Sequence, residues 1–202
     1  MNKIVVVDLD GCLCSLNSFR YWLVFSFLFL FISFRWFALI KFIKVVLLRF
    51  FHKSNRVQMK REILSVTENI PCFFIKWFCQ FLYCFTNSDV LKEMRKYENT
   101  QVSVVLCTAA PACYVDVLAK KFDFSHVFSS GSVFNSLWKE NIGEEKWRSV
   151  SAYYGKDVIL ECVITDHHDD LPLLLKAKKR LLVRPSRVTL DEVTGIFDFD
   201  VL

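Results

Sequence analysis

Apolar and polar positions along the chain fall into two kinds of run. Ile4 to Val7 is short, β-branched and unbroken by polar residues, and Val102 to Cys107 and Val158 to Ile164 are similar runs interrupted only by Ser103 and Glu161. Such runs suit central parallel strands covered on both faces, where alternation disappears because neither side meets water. Phe128-Ser129-Ser130 and Arg180 to Arg184, ahead of Pro185, read as further strands. Pro111 is placed to open a helix after the second strand, and Gly143-Glu144-Glu145-Lys146 reads as a helix start with a lysine in its first turn. Between the first two strands the period turns helical. Tyr21 to Phe34 carries no charge, and Trp36 to Phe51 is interrupted only by Lys41, Lys44 and Arg49, which predicts a hairpin turning near Arg35. Asn55 to Thr67 is a mixed helix, Pro71 to Phe85 an apolar one, and Ser88 the expected N-cap of a surface helix reaching about Glu98. These elements predict an α/β protein, a three-layer Rossmann-like parallel sheet of five strands with a large helical insert. The core is expected at residues 1–16 plus 99–202 and the insert at 17–98. The tail from Thr189 to Leu202 is amphipathic and acidic, with no assigned role.

Composition sharpens the insert. Apolar residues make up 53% of the 202, above the usual globular range, and the excess with much of the phenylalanine lies there. No Asp or Glu occurs between Asp10 and Glu62 while nine Lys or Arg do, so the net charge of +5 combines a basic insert with an acidic remainder. Apolar helices flanked by cations suit an anionic bilayer surface, whereas nucleic acid calls for a basic polar face and is not expected. Residues 21–51, with Phe27, Leu30 and Phe31 as lipid-facing side chains, are expected to associate with a membrane. The uncharged run is shorter than the ~20 residues of a span, which favours an interfacial or re-entrant hairpin, although Tyr21 to Leu39 passes as a span if Arg35 snorkels. The basic flank from Lys41 to Arg61 puts the hairpin on the cytoplasmic face of the inner (plasma) membrane. A buried bundle or an oligomer interface is the other way to satisfy the same surface, and would leave the protein cytoplasmic. The apolar run follows a complete strand, so no secretory signal is expected. Eight dispersed cysteines without a CxxC pair signal neither zinc knuckle nor disulfide framework.

The chemistry sits where strands end. Asp8 and Asp10 leave the first strand one residue apart, followed by Gly11, which permits a tight turn. Thr108 closes the second strand, Lys146 opens a helix, and Asp166 with Asp170 leaves the third. Ligands of open parallel sheets bind beyond these carboxyl ends. Two acid pairs, a hydroxyl and a lysine make a metal-assisted phosphoryl-transfer inventory.

In this order, Asp8-Leu9-Asp10-Gly11, Thr108, Lys146 and Asp166 with Asp170 resemble the four motifs of haloacid dehalogenase superfamily phosphatases, over about residues 3 to 186. The insert is similar to the helical cap of the phosphoserine phosphatase branch, and its apolarity is most like the phosphatidylglycerophosphatase C group. The resemblance implies strand order 3-2-1-4-5, with the strands bearing Asp8 and Asp166 as neighbours. It implies Asp8 as nucleophile, Asp10 as general acid and base, Thr108 and Lys146 as the electrostatic cradle, and Mg²⁺ held by Asp8, the Asp10 backbone carbonyl and Asp166, with Asp170 in support. The expected substrate is a phosphomonoester, most simply a membrane lipid phosphate such as phosphatidylglycerophosphate, with lysophosphatidic or phosphatidic acid next. A soluble phosphomonoester such as phosphoserine, and a non-catalytic membrane-bound interaction protein on this fold, stay open. Cys12 stands where the family usually has threonine, Ala109 and Ala110 where small hydroxyl or glycine residues are common, and Thr165 where glycine precedes the third-strand aspartate. His167 and His168 fill positions often held by small residues and are expected to be structural or solvated.

Overall fold

A computed structural model describes residues 2–131 and 139–202. Six parallel strands form one sheet: β1 (Lys3–Val7), β2 (Val102–Pro111), β3 (His126–Ser130), β4 (Ile159–Thr165), β5 (Ala177–Leu182) and β6 (Asp200–Val201), in the order 3-2-1-4-5-6. The five expected strands keep the expected order, and β1 and β4 are neighbours. The correction is a sixth strand, paired with β5 through Leu181 to Asp200 and Leu182 to Val201. It comes from the unassigned tail, where a two-residue strand with both side chains exposed leaves no hydrophobic period to read. β2 also runs past Thr108 to Pro111, so the threonine lies within a strand instead of closing it.

Alternation along the strands builds the layers. Val5, Val7, Leu106, Cys162 and Ile164 face one apolar cluster, and Ile4, Val6, Val105, Cys107 and Val163 face the other. The second face is covered by α7 (Glu144–Tyr154), the short α8 (Leu171–Leu174) and α9 (Arg187–Val193). The first is covered by α6 (Ala112–Ala119) and by the five helices between β1 and β2: α1 (Ser18–Ile32), α2 (Trp36–Phe50), α3 (Arg56–Val66), α4 (Cys72–Tyr83) and α5 (Ser88–Arg95). Trp22, Phe78 and Tyr114, from α1, α4 and α6, meet with ring centroids 5.1–5.3 Å apart. The insert and the sheet therefore share one continuous core. α5 lies against the sheet, with Glu93 2.7 Å from Lys179 of β5.

Asparagine caps start three of the five insert helices, α1, α3 and α5: Asn17 accepts from the Arg20 N–H, Asn55 from Gln58 and Asn87 from Asp89. Asn87, not Ser88, thus caps α5, because Ser88 is already in its first turn. α1 and α2 form the expected hairpin, but the helix breaks at Ser33 to Arg35, so Tyr21 to Leu39 is not one continuous span. Each helix has 15 residues, and among the described residues no helix is long and apolar enough to cross a membrane. The hairpin nevertheless exposes Val24, Leu28, Phe31 and Ile32 on α1, and Phe37, Ile40, Leu47 and Phe50 on α2; Phe37 is 94% exposed. Phe27 is exposed as well, whereas Leu30 belongs to the core instead.

Candidate active site

Parallel register aligns the strand exits that matter. Val7 pairs with Leu106 on one side and Ile164 on the other, and the Asp8 N–H donates to the Ile164 carbonyl at 2.9 Å. Asp8, Thr108 and Asp166 therefore reach the same edge, beside β1, where strand order reverses. A cavity of about 400 Å³ opens there, lined by Asp8, Asp10, Thr108, Lys146, Asp166 and Asp170, with Arg56, His167 and Asp169 among its other walls. All six residues expected from the sequence meet in it.

Lys146 is the electrostatic centre. Its buried ammonium lies 2.9 Å from Asp8 Oδ1 and 2.7 Å from Asp170 Oδ1. Burial acts to lower its pKa, but the two carboxylates win and hold it above its ordinary range. Asp170 also accepts from Thr165 Oγ1 at 2.7 Å, so the threonine that stands for the usual glycine anchors this carboxylate. Asp8 is raised to about 7 by burial and by Asp170 and Asp166, against the opposing pull of Lys146. Burial, with Asp170, lifts Asp166 to about 6. Gly11 is required by two facts: its φ is +74°, and a Cβ on it would lie 2.1 Å from Asp166 Oδ2. Only glycine lets that carboxylate rest against the turn.

Asp10 is fixed by the insert, since its Oδ1 accepts from the Ser18 N–H in the first turn of α1 at 2.8 Å, and Ser18 Oγ lies 3.0 Å from the Tyr114 hydroxyl. Burial raises Asp10 above its ordinary value, with the Ser18 hydrogen bonds opposing. Thr108 Oγ1 accepts from the Ala110 N–H at 3.1 Å, which leaves its proton free to donate into the cavity. Behind it, Asn141 donates to the Thr108 and Phe128 carbonyls at 3.2 and 3.1 Å, and Ser130 Oγ to the Ala109 carbonyl at 2.7 Å. Lys60 of α3 is buried between the Ala109 carbonyl at 2.7 Å and Glu140 at 2.5 Å, while Arg56, one turn earlier, lies 3.2 Å from Glu140. Sequence reasoning missed Arg56, Lys60, Ser18, Glu140 and Asn141. Asn17 before an apolar run could have signalled the helix start beneath Asp10, whereas no local pattern marks a lysine or glutamate as buried.

Five carboxylates line the cavity, those of Asp8, Asp10, Asp166, Asp169 and Asp170, and two of them, Asp8 and Asp170, already share Lys146. Asp8 and Asp166, both raised by burial, are hard oxygen donors lacking full charge compensation, and this donor set fits Mg²⁺.

The model of the haloacid dehalogenase-like hydrolase family matches residues 5–175. No curated protein matches the chain in sequence. Among solved structures, a protein of unknown function from Bordetella pertussis Tohama I superposes with a TM-score of 0.77 at 14% identity, over 100% of this chain and 98% of that one. A probable phosphoserine phosphatase from Vibrio cholerae gives 0.67 at 11% identity, over 95% of this chain and 59% of that one. A phospho-aspartyl intermediate analogue of phosphoserine phosphatase gives 0.57 at 12% identity, over 99% and 93%. The family match takes in every residue that lines the cavity, and the chain belongs to the haloacid dehalogenase-like hydrolases.

Proposed function

We propose that the protein is a Mg²⁺-dependent phosphomonoesterase working through an aspartyl-phosphate on Asp8. The observation that carries this is the Asp8 carboxylate 2.9 Å from the Lys146 ammonium, at a cavity shared with Thr108, Asp10 and Asp166. An Asp8 oxygen attacks phosphorus, the P–O bond to the leaving group breaks, and the departing alkoxide takes the proton of Asp10. Water then attacks the phosphorus of the acyl phosphate while Asp10 accepts its proton, and inorganic phosphate leaves Asp8 free. A raised Asp10 suits this role, because a general acid must hold its proton near neutral pH. Lys146 and the Thr108 hydroxyl face the phosphoryl oxygens as charge and hydrogen-bond donors. Mg²⁺, held by Asp8, the Asp10 backbone carbonyl and Asp166, with Asp170 fixed behind Lys146, would supply further positive charge toward those oxygens.

For the substrate we favour a lipid phosphate at a membrane surface, phosphatidylglycerophosphate first. Residues 17–98 would act as a cap whose hairpin at 21–51 lies in the interface on the cytoplasmic face. The exposed apolar side chains of α1 and α2, with Lys41, Lys44 and Arg49 among them, support this reading. A soluble phosphoserine-like substrate is the second reading, favoured by the phosphoserine phosphatases among the similar structures. The gathered site weighs against a non-catalytic interaction protein. The test is phosphate release from lipid and soluble phosphomonoesters with and without Mg²⁺. Asp8→Asn should abolish turnover with the fold intact, and retained turnover excludes the aspartyl-phosphate route. Asp10→Asn should spare Mg²⁺ binding and lose turnover; equal loss of Mg²⁺ affinity in Asp10→Asn and Asp166→Asn contradicts the assigned roles.

A further inference from the structure

The phosphomonoesterase reading leaves His167, His168 and Asp169 unused. They follow Asp166 directly, at a turn where Asp169 donates its N–H to His167 Nδ1 at 3.1 Å and so draws that ring over the short 3-10 segment His168–Asp170. The two imidazoles stack with centroids 4.2 Å apart. His167 Nδ1 lies 3.3 Å from Asp169 Oδ2, and His168 Nε2 lies 4.0 Å from Asp169 Oδ1. One nitrogen from each ring and one carboxylate oxygen fall within 4.8 Å of one another. His168 Nδ1 is buried and has no hydrogen-bond partner among the described residues. His167 and Asp169 also line the catalytic cavity.

We propose that His167, His168 and Asp169 bind a transition-metal dication of the Zn²⁺, Co²⁺ or Ni²⁺ class at the rim of the active site, separate from the Mg²⁺ carboxylates, and that its binding inhibits the enzyme. Two imidazoles and one carboxylate are the donor set of such ions, whereas Mg²⁺ takes oxygens and keeps its water. Bonds of ~2.0–2.1 Å put neighbouring ligands of a tetrahedral Zn²⁺ about 3.3 Å apart, so the His167 to Asp169 pair already has the right separation. Side-chain rotation of His168 closes the rest, and the metal replaces the hydrogen bond that His167 Nδ1 accepts from the Asp169 N–H. A dication held here stands close to Asp166 at the cavity wall, where its charge opposes Mg²⁺ and where it would draw an incoming phosphate away from Asp8.

The experiment titrates Zn²⁺ calorimetrically, and Co²⁺ spectroscopically, into the full chain saturated with Mg²⁺. One equivalent should bind with micromolar affinity, without the thiolate charge-transfer absorption that would point to a cysteine. His167→Gln/His168→Gln should weaken binding at least 100-fold. Asp8→Asn/Asp166→Asn should keep it, which separates this site from displacement of Mg²⁺ and leaves the test independent of turnover. His168→Gln alone should leave Zn²⁺-free activity unchanged and raise the Zn²⁺ concentration for half-inhibition at least tenfold. Circular dichroism checks that each variant is folded. Unchanged Zn²⁺ affinity in the folded histidine double variant, loss of binding in the folded aspartate double variant, or no binding at Mg²⁺ saturation would overturn the proposal.

Discussion

Asp8 and Asp166 face each other in a space that burial keeps short of water, and their pKa values follow. Both rise above the ordinary 3.8, Asp8 to about 7 and Asp166 to about 6. Between those values and 3.8 the folded, metal-free protein binds protons more tightly than the unfolded chain. This contribution to stability is complete below pH 3.8 and is lost as pH rises through about 6 to 7, by on the order of a few kcal/mol. Urea unfolding in chelator should therefore give a lower free energy at pH 8 than at pH 5, and added Mg²⁺ should stabilise more at pH 8, where Asp8 and Asp166, its proposed ligands, are charged. A metal-free protein that is firmer at pH 8 would contradict the burial of these carboxylates. Gly11→Ala tests the same corner by shape. The new Cβ meets Asp166 Oδ2 at 2.1 Å on a backbone with φ +74°, so Mg²⁺ affinity should fall at least tenfold and stability by about 1–3 kcal/mol. Calorimetric Mg²⁺ binding equal to wild type would mean that Asp166 can retreat without cost.

At the scale of elements, α3 ties the insert to the strand that bears Thr108. Arg56 and Lys60 stand one turn apart on it and converge on Glu140, with Lys60 also holding the Ala109 carbonyl. Removing Lys60 leaves the buried Glu140 carboxylate facing the largely exposed Arg56 alone among the described residues, so Lys60→Met should cost up to about 3–5 kcal/mol by urea unfolding. Glu140→Gln added to it should recover part of that loss; a purely additive double variant would show that the two do not act as a pair. Both hairpin helices end in the same way. Phe34 and His52 adopt positive φ, 54° and 56°, and the following N–H groups of Arg35 and Lys53 return to the Leu30 and Leu48 carbonyls. This is the Schellman geometry that glycine normally serves. Phe34 is also 75% exposed, so its strain is not offset by core packing. Phe34→Gly should stabilise the protein in detergent-free buffer by about 0.5–1 kcal/mol, read as a higher urea midpoint.

Seen as a whole, the molecule has a buried, charged cavity at one sheet edge and an apolar hairpin among basic residues in its insert. If the hairpin docks on lipid, Phe31→Ser/Phe37→Ser/Ile40→Ser removes three exposed side chains, each contributing roughly 1.5–3 kcal/mol when fully buried. Flotation with anionic vesicles should fall by orders of magnitude, and lipid-phosphate turnover should fall more than hydrolysis of a small soluble phosphoester. Leu30 is unsuitable for this test, since its side chain packs in the core and its loss would report on stability. A folded triple variant that floats and cleaves both substrates like wild type would exclude docking through this face and favour the soluble phosphomonoester reading.

What depends on local pattern was legible in the chain itself. Apolar, β-branched runs marked β1, β2 and β4, and the polar residues at their carboxyl ends come together once those strands lie parallel, which is why Asp8, Asp10, Thr108, Asp166 and Asp170 reach the cavity, with Lys146 supplied by the first turn of α7. The apolar hairpin was equally plain from hydrophobicity and the break near Arg35. Only the tertiary structure decided which residues of that hairpin are core and which are surface, because α1 is apolar on every side and offers no period to divide Leu30 from Phe31. It alone placed Lys60 and Glu140, 80 residues apart, in one buried pair, and set Ser18 under Asp10. It also made a strand of Asp200–Val201, whose pairing with β5 owes nothing to its own side chains. Burial of charge and pairing across the chain are properties of neighbours, and neighbours distant in sequence are fixed only when the chain has folded.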